Sequence, residues 1–144
     1  VVRIVDGLTA LGADHANSPL ATVAINSNSA ETHPQDGPVQ MKSLQTEFGW
    51  AFPFLFDEDQ SVAKAYQAAC TPDFFLFDAK HRLVYRGQFD DARPNNDVPV
   101  TGRDLRAAID AVVSGQPVRG PQYPSLGCNI KWRAGNEPDY FKGR

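Results

Sequence analysis

In the stretch Cys70-Thr71-Pro72-Asp73-Phe74-Phe75-Leu76-Phe77-Asp78, a proline stands just ahead of the most hydrophobic run in the chain. Asp78-Ala79-Lys80-His81 joins that run to Arg82-Leu83-Val84-Tyr85-Arg86, and the two segments together predict a β-hairpin. An X–Pro bond prefers trans by only about 0.5–1 kcal/mol, so packing can hold either isomer. Taken alone, Thr71-Pro72 reads as a plain turn before a strand.

Upstream of this stretch, Val62, Ala65, Tyr66 and Ala69 form an apolar helical stripe that Asp57 or Asp59 can cap. Phe52-Pro53-Phe54-Leu55-Phe56 contains a proline that argues against a central strand, and a connector packed on the core is expected there. Met41, Leu44 and Phe48 recur at helical spacing from a start near Asp36, with Gly49 as the stop. Residues 20–25 are nearly continuously apolar, as in a strand buried on both faces. Val1, Ile4, Val5, Leu8 and Leu11 share one face of a first helix, and Gly12 is the expected stop.

Downstream, residues 87–99 are polar and proline-bearing, and Thr101-x-x-Asp104 predicts a capping box worth about 1 kcal/mol. Leu105, Ala108, Ile109 and Val112 form the stripe of the helix it would start, and Gly115 suits its C-terminal cap. The remaining residues, 116–144, are rich in Pro and Gly and predict an irregular tail. Strand and helix alternate before the hairpin, which implies an α/β fold with a mixed sheet between helices.

A chain of 144 residues is one domain's worth. Its net charge of −3, with Lys and Arg scattered among the acids, offers no basic patch for nucleic acid. No apolar run reaches the length of a membrane span. Asp57, Glu58 and Asp59 are expected to cap a helix rather than form a carboxylate site. Asp90, Asp91 and Arg93 are expected in a solvated loop. His15, His33 and His81 lack metal-ligand spacing, so no metal is expected, and with no Gly-rich phosphate loop or nucleophile elbow no cofactor is expected either. There is no internal repeat.

The order of elements and the text from Cys70 to Asp78 resemble the thioredoxin-like superfamily. Val23-Ala24-Ile25-Asn26-Ser27-Asn28, residues 52–65 and Gly127-Cys128-Asn129-Ile130-Lys131-Trp132 are similar to one bacterial branch of it, that of thioredoxin-family and thiol-specific antioxidant (redoxin) proteins. The resemblance implies a single thioredoxin-like domain over residues 1–144, with a central mixed β-sheet flanked by helices. It implies a cis bond at Thr71-Pro72, facing a redox pair, with the Thr71 backbone groups free to pair with an extended substrate. Family members carry Cys-x-x-Cys-Pro at the start of the first helix, where the helix dipole lowers a thiol pKa. This chain opens just after that point, and the strand that would precede it belongs between residues 20–25 and 74–77. A truncated sequence is the expectation.

The function so implied is thiol–disulfide oxidoreductase or antioxidant protein, acting on a disulfide-containing protein or a small thiol or peroxide substrate. Disulfide exchange is favoured, because no peroxidatic cysteine at a helix start is visible. The fragment as given would be inactive, and the alternative is a non-catalytic binding module using the groove beside Pro72. Thr71 and Pro72 would hold substrate. Cys70 and Cys128, the two cysteines of the chain, are auxiliary thiols at most. Cys70 is expected to be buried, and a Cys70–Cys128 bridge is the minority reading. Cytoplasm is the expected compartment, with the periplasm as the alternative if a signal peptide precedes Val1, and oligomeric state is left open.

Overall fold

The structure, a computed structural model, describes residues 1–141. The chain divides into two compact units, one of residues 1–20 and 71–127, the other of residues 21–70 and 128–144. The last three residues of the expected irregular tail lie outside the described residues.

In the first unit a 3-10 turn at Val2–Ile4 leads into helix α1, Val5–Asp14. Gly12 does not stop this helix but lies within it, and His15 is the C-cap. Strands β4 (Phe74–Phe77) and β5 (Leu83–Gly87) form the antiparallel hairpin, with Phe75 opposite Arg86 and a register shift between Leu76 and Phe77. Helix α4, Arg103–Val113, buries Leu105, Ala108 and Ile109, the inner part of the predicted stripe. These pack with Leu11, Leu76, Tyr85 and Phe89 into one apolar core. Gly115, at φ +69°, follows the helix end in the left-handed conformation that glycine tolerates without a Cβ penalty.

The predicted capping box does not form. The N-cap of α4 is Gly102, which has no side chain to offer. Asp90 supplies the missing acceptor: its Oδ2 accepts from the Thr101 and Gly102 amides at 2.7 and 2.6 Å. Asp90 is therefore buried, only 2 % exposed, rather than a solvated loop residue. Asp104 instead accepts from the Gln88 side-chain amide at 2.6 Å.

In the second unit, β1 (Ala24–Asn26) and β2 (Phe54–Phe56) pair in parallel, with Ile25 opposite Leu55. Residues 54–56 are thus a strand and not a connector. Pro53 is accommodated because it sits one residue before the strand and uses only its carbonyl, which accepts from the Ala24 amide at 2.9 Å. β1 is shorter than the predicted strand and is not buried on both faces: Val23, Ile25 and Leu55 are 52, 39 and 51 % exposed. Helix α2, Pro38–Phe48, begins with proline in its first turn and ends at Gly49 with φ 66°. Trp50 stacks on Phe52 with ring centroids 5.0 Å apart. Helix α3, Ser61–Ala65, is shorter than predicted, and its buried residue is Ala63.

Two short strands remain. β3, Cys70–Thr71, falls where the chain passes between the units, and it forms a two-stranded ladder with β6, Cys128–Asn129. The expected irregular tail thus contains a strand. It also contains Ile130 and Trp132, buried against Ala63. Among the described residues no helix is long and apolar enough to cross a membrane.

Candidate functional site

The Thr71–Pro72 peptide bond is cis, and Asp73 leads from it into β4. Arg86, on the opposing strand, reaches the Asp73 carboxylate at 3.5 Å and stacks its guanidinium 5.0 Å from the centroid of Phe75. The outward side of this hairpin is thereby fixed beside the turn. Cys70, immediately before it, is buried (7 % exposed), and Cys128 is exposed. No disulfide joins them in this structure. Neither lies at a helix N-terminus; each sits in a two-residue strand.

The Thr71 edge differs from expectation in one respect. Rather than standing open, it is covered by the chain's own tail. In the first unit, Gly127 lies so close to Thr71 that an added Cβ would meet the Thr71 carbonyl oxygen at 2.1 Å, its carbon at 2.8 Å and the Pro72 nitrogen at 3.3 Å. On the side of the second unit, Cys70 ends in the β3–β6 ladder. Sequence reading quoted Gly127 within a resemblance but had no signal for its contact, since nothing local to residue 127 points to residue 71.

Asp57 and Asp59, two of the three acidic residues, accept from amides at the start of α3 as expected. Asp57 accepts from the Val62 amide at 3.2 Å and the Ala63 amide at 2.9 Å, and also from the Ser27 hydroxyl at 2.7 Å. Asp59 accepts from the Ser61 amide at 3.0 Å, and the Ser61 hydroxyl first, with that amide second, holds its carboxyl below the ordinary range. The residue after the triplet, Gln60, was missed entirely. Fully buried and at φ 62°, it donates through Nε2 to the carbonyls of Ser27 and Lys131 at 2.8 and 2.9 Å. Its Oε1 accepts from the Arg133 amide at 2.9 Å and the Asn136 side chain at 2.8 Å. Asn28 completes the clasp by accepting from the Lys131 amide at 3.0 Å, while Lys131 accepts from the Ser29 amide at 2.8 Å. Residues 130–136 are therefore fastened by backbone groups that no composition argument reveals.

His15 bonds Ser18 at 3.2 Å and His33 bonds Thr32 at 2.9 Å, local contacts of ordinary loop histidines. Asp78 and Tyr85 are among the groups of the first unit whose titration is displaced. Asp78 is held down to about 2 by Arg82, whose guanidinium and backbone amide both donate to it. Tyr85 is pushed up to about 12 by burial and, secondarily, by the Asp104 charge, while its hydroxyl donates to the Gln88 carbonyl.

A mixed α/β architecture with a Thr-Pro turn opening into an antiparallel hairpin defines a thioredoxin-like protein. More particularly, the Redoxin family model matches residues 5–105, and the chain belongs to the Redoxin family. Two solved structures are close to it. A hypothetical protein from Sinorhizobium meliloti 1021 superposes with a TM-score of 0.92 at 56 % identity, covering 94 % of this chain and 74 % of that one. An uncharacterized conserved protein from Geobacillus kaustophilus superposes with a TM-score of 0.90 at 53 % identity, covering 92 % of this chain and 70 % of that one. No curated protein matches the chain.

Proposed function

We propose that this Redoxin-family domain serves thiol–disulfide exchange on a protein or small-molecule disulfide, with the Thr71–Pro72 segment as its substrate-facing edge. The supporting observation is that the Redoxin match runs through Cys70-Thr71-Pro72 and both strands of the hairpin that follow. In such an exchange a thiolate sulfur attacks one substrate sulfur, the other leaves as a thiolate, and a second thiol then displaces the reduced substrate from the mixed disulfide. The buried thiol of Cys70 is shielded from any incoming disulfide, and Cys128 has no helix terminus to stabilise a thiolate. In this reading both are auxiliary, and the attacking pair is a Cys-x-x-Cys encoded before Val1.

The sheet pattern supports that placement. Among the described residues β1 pairs only with β2, and β4 only with β5, so each two-stranded sheet has a strand edge to which another strand can add. The test compares two proteins in thiol-driven reduction of a protein disulfide: residues 1–144, and the gene product including the codons upstream of Val1. Turnover is expected only in the longer protein, and is expected to vanish on Cys→Ser change of either upstream cysteine. A longer protein without such a pair, or with turnover indifferent to its loss, would refute the proposal and favour a binding module that transfers no electrons.

A further inference from the structure

We propose that residues 122–125 guard the outer edge of β5, filling its strand-pairing positions so that no strand of a second copy of this chain adds there. Two observations, both within the first unit, carry the inference. The first is a set of hydrogen bonds. The Gln122 side-chain amide donates through Nε2 to the Val84 carbonyl and accepts through Oε1 from the Arg86 amide, both at 2.9 Å. One residue of a parallel partner strand makes the same two bonds with its own backbone, to the carbonyl before and the amide after the residue it faces. The Tyr123 carbonyl then accepts from the Gln88 amide at 2.9 Å, and the Ser125 hydroxyl donates to the Gly87 carbonyl at 2.6 Å. Gly87 permits this approach, since an added Cβ would lie 2.5 Å from the Tyr123 carbonyl oxygen.

The second observation is that the guard itself presents no new edge. It reads Pro121-Gln122-Tyr123-Pro124-Ser125, and both prolines lack the amide that a further strand would need. β5, Leu83-Val84-Tyr85-Arg86-Gly87, carries neither the proline nor the lysine that blunts many strand edges, and Leu83 is half exposed. Its one charged side chain, Arg86, is engaged with Asp73 and Phe75. An apolar strand edge of this kind is a template for another chain unless something covers it. With β5 closed, strand addition to the hairpin is confined to β4, the side that the upstream segment proposed above would take.

The test uses the 144-residue chain. Gln122→Ala removes the side-chain amide, and a second variant replaces residues 121–125 with a Gly/Ser run of equal length, which removes both prolines as well. Hydrogen exchange at the Arg86 and Gln88 amides reports the guard, exchange at Leu105 and Ile109 in α4 reports folding, and sedimentation velocity over a range of concentrations reports association. In the unsubstituted chain the Arg86 and Gln88 amides are expected to be protected at every concentration. In the dilute variants they are expected to exchange about tenfold faster or more, with α4 unchanged. Raising the concentration of the variants is expected to bring association that slows exchange at the same two amides again. Fast exchange there in the unsubstituted chain, or unchanged exchange in both variants, would overturn the seating of the guard. An opened edge that stays unassociated at high concentration, or association that leaves Arg86 and Gln88 exchanging fast, would overturn its role against a second copy.

Discussion

Gln60→Ala is expected to be among the most damaging single substitutions in the second unit. The change removes four hydrogen bonds at once, to Ser27, Lys131, Arg133 and Asn136. Lys131 keeps an acceptor role toward the Ser29 amide, and Asn136 can turn to Asp59, whose carbonyl it already reaches at 3.2 Å. The Ser27 carbonyl and the Arg133 amide lose the partner that Gln60 provides. Leaving a buried polar group unsatisfied costs about 1–3 kcal/mol, so two such groups, partly relieved by water entering the vacated space, give a loss of about 3 kcal/mol. The backbone adds a second handle. Gln60 is in the left-handed region at φ 62°, where a Cβ costs roughly 1–2 kcal/mol that glycine does not incur. Gln60→Gly should therefore be less damaging than Gln60→Ala by about 1 kcal/mol, despite losing the same bonds. Urea denaturation with linear extrapolation measures both differences. A loss below about 1 kcal/mol for the alanine variant would show that the clasp contributes no more than an exposed contact, and a glycine variant weaker than alanine would refute the backbone argument.

Two further predictions concern pH. Asp78, held down to about 2 in the folded chain, stabilises the hairpin turn above the ordinary carboxylate range, and that contribution is lost as pH falls from about 4 through about 2. A carboxyl titration followed by NMR should place the Asp78 midpoint near 2, and Arg82→Ala should raise it; an unmoved midpoint would refute the pairing. Tyr85, pushed up to about 12, stays neutral in the fold after an unfolded tyrosine has begun to ionise, so its contribution is complete below pH 10 and is lost as pH rises through about 12. Alkaline difference spectra of the parent chain and Tyr85→Phe should differ by one late-titrating phenol; loss of an early-titrating one would contradict the burial.

Local chemistry made much of the fold legible. The α4 stripe, the Gly49 and Gly115 helix ends and the β4–β5 hairpin depend on residues within a turn or two of one another, and sequence spacing carries that information. The errors are of another kind. Thr101-x-x-Asp104 has the composition of a capping box, but Asp90 accepts from the Thr101 and Gly102 amides and leaves Asp104 for Gln88. Pro53 argued against a strand at 52–56 because proline lacks a donor, yet its carbonyl alone suffices at the first position before the ladder. Both errors come from a group whose partner lies far along the chain or whose exact register decides its role.

The same distinction separates the two halves of the candidate site. Thr71-Pro72 reads alone as a plain turn, and it is the resemblance over Cys70 to Asp78, carried by contiguous residues, that marks it. Gly127 carries no such mark, because its role is defined by what it lacks and by a carbonyl distant in sequence. A glycine in a Pro- and Gly-rich tail reads as a loop residue, and only the contact distance distinguishes a loop from a backbone seated on an edge. The exposed thiol of Cys128 would draw attention first, but the geometry places the constraint one residue earlier. Replacing Cys128 with Ser leaves the backbone ladder available, whereas adding one methyl at Gly127 cannot, so comparison of these two changes separates a role for the thiol from a role for the strand.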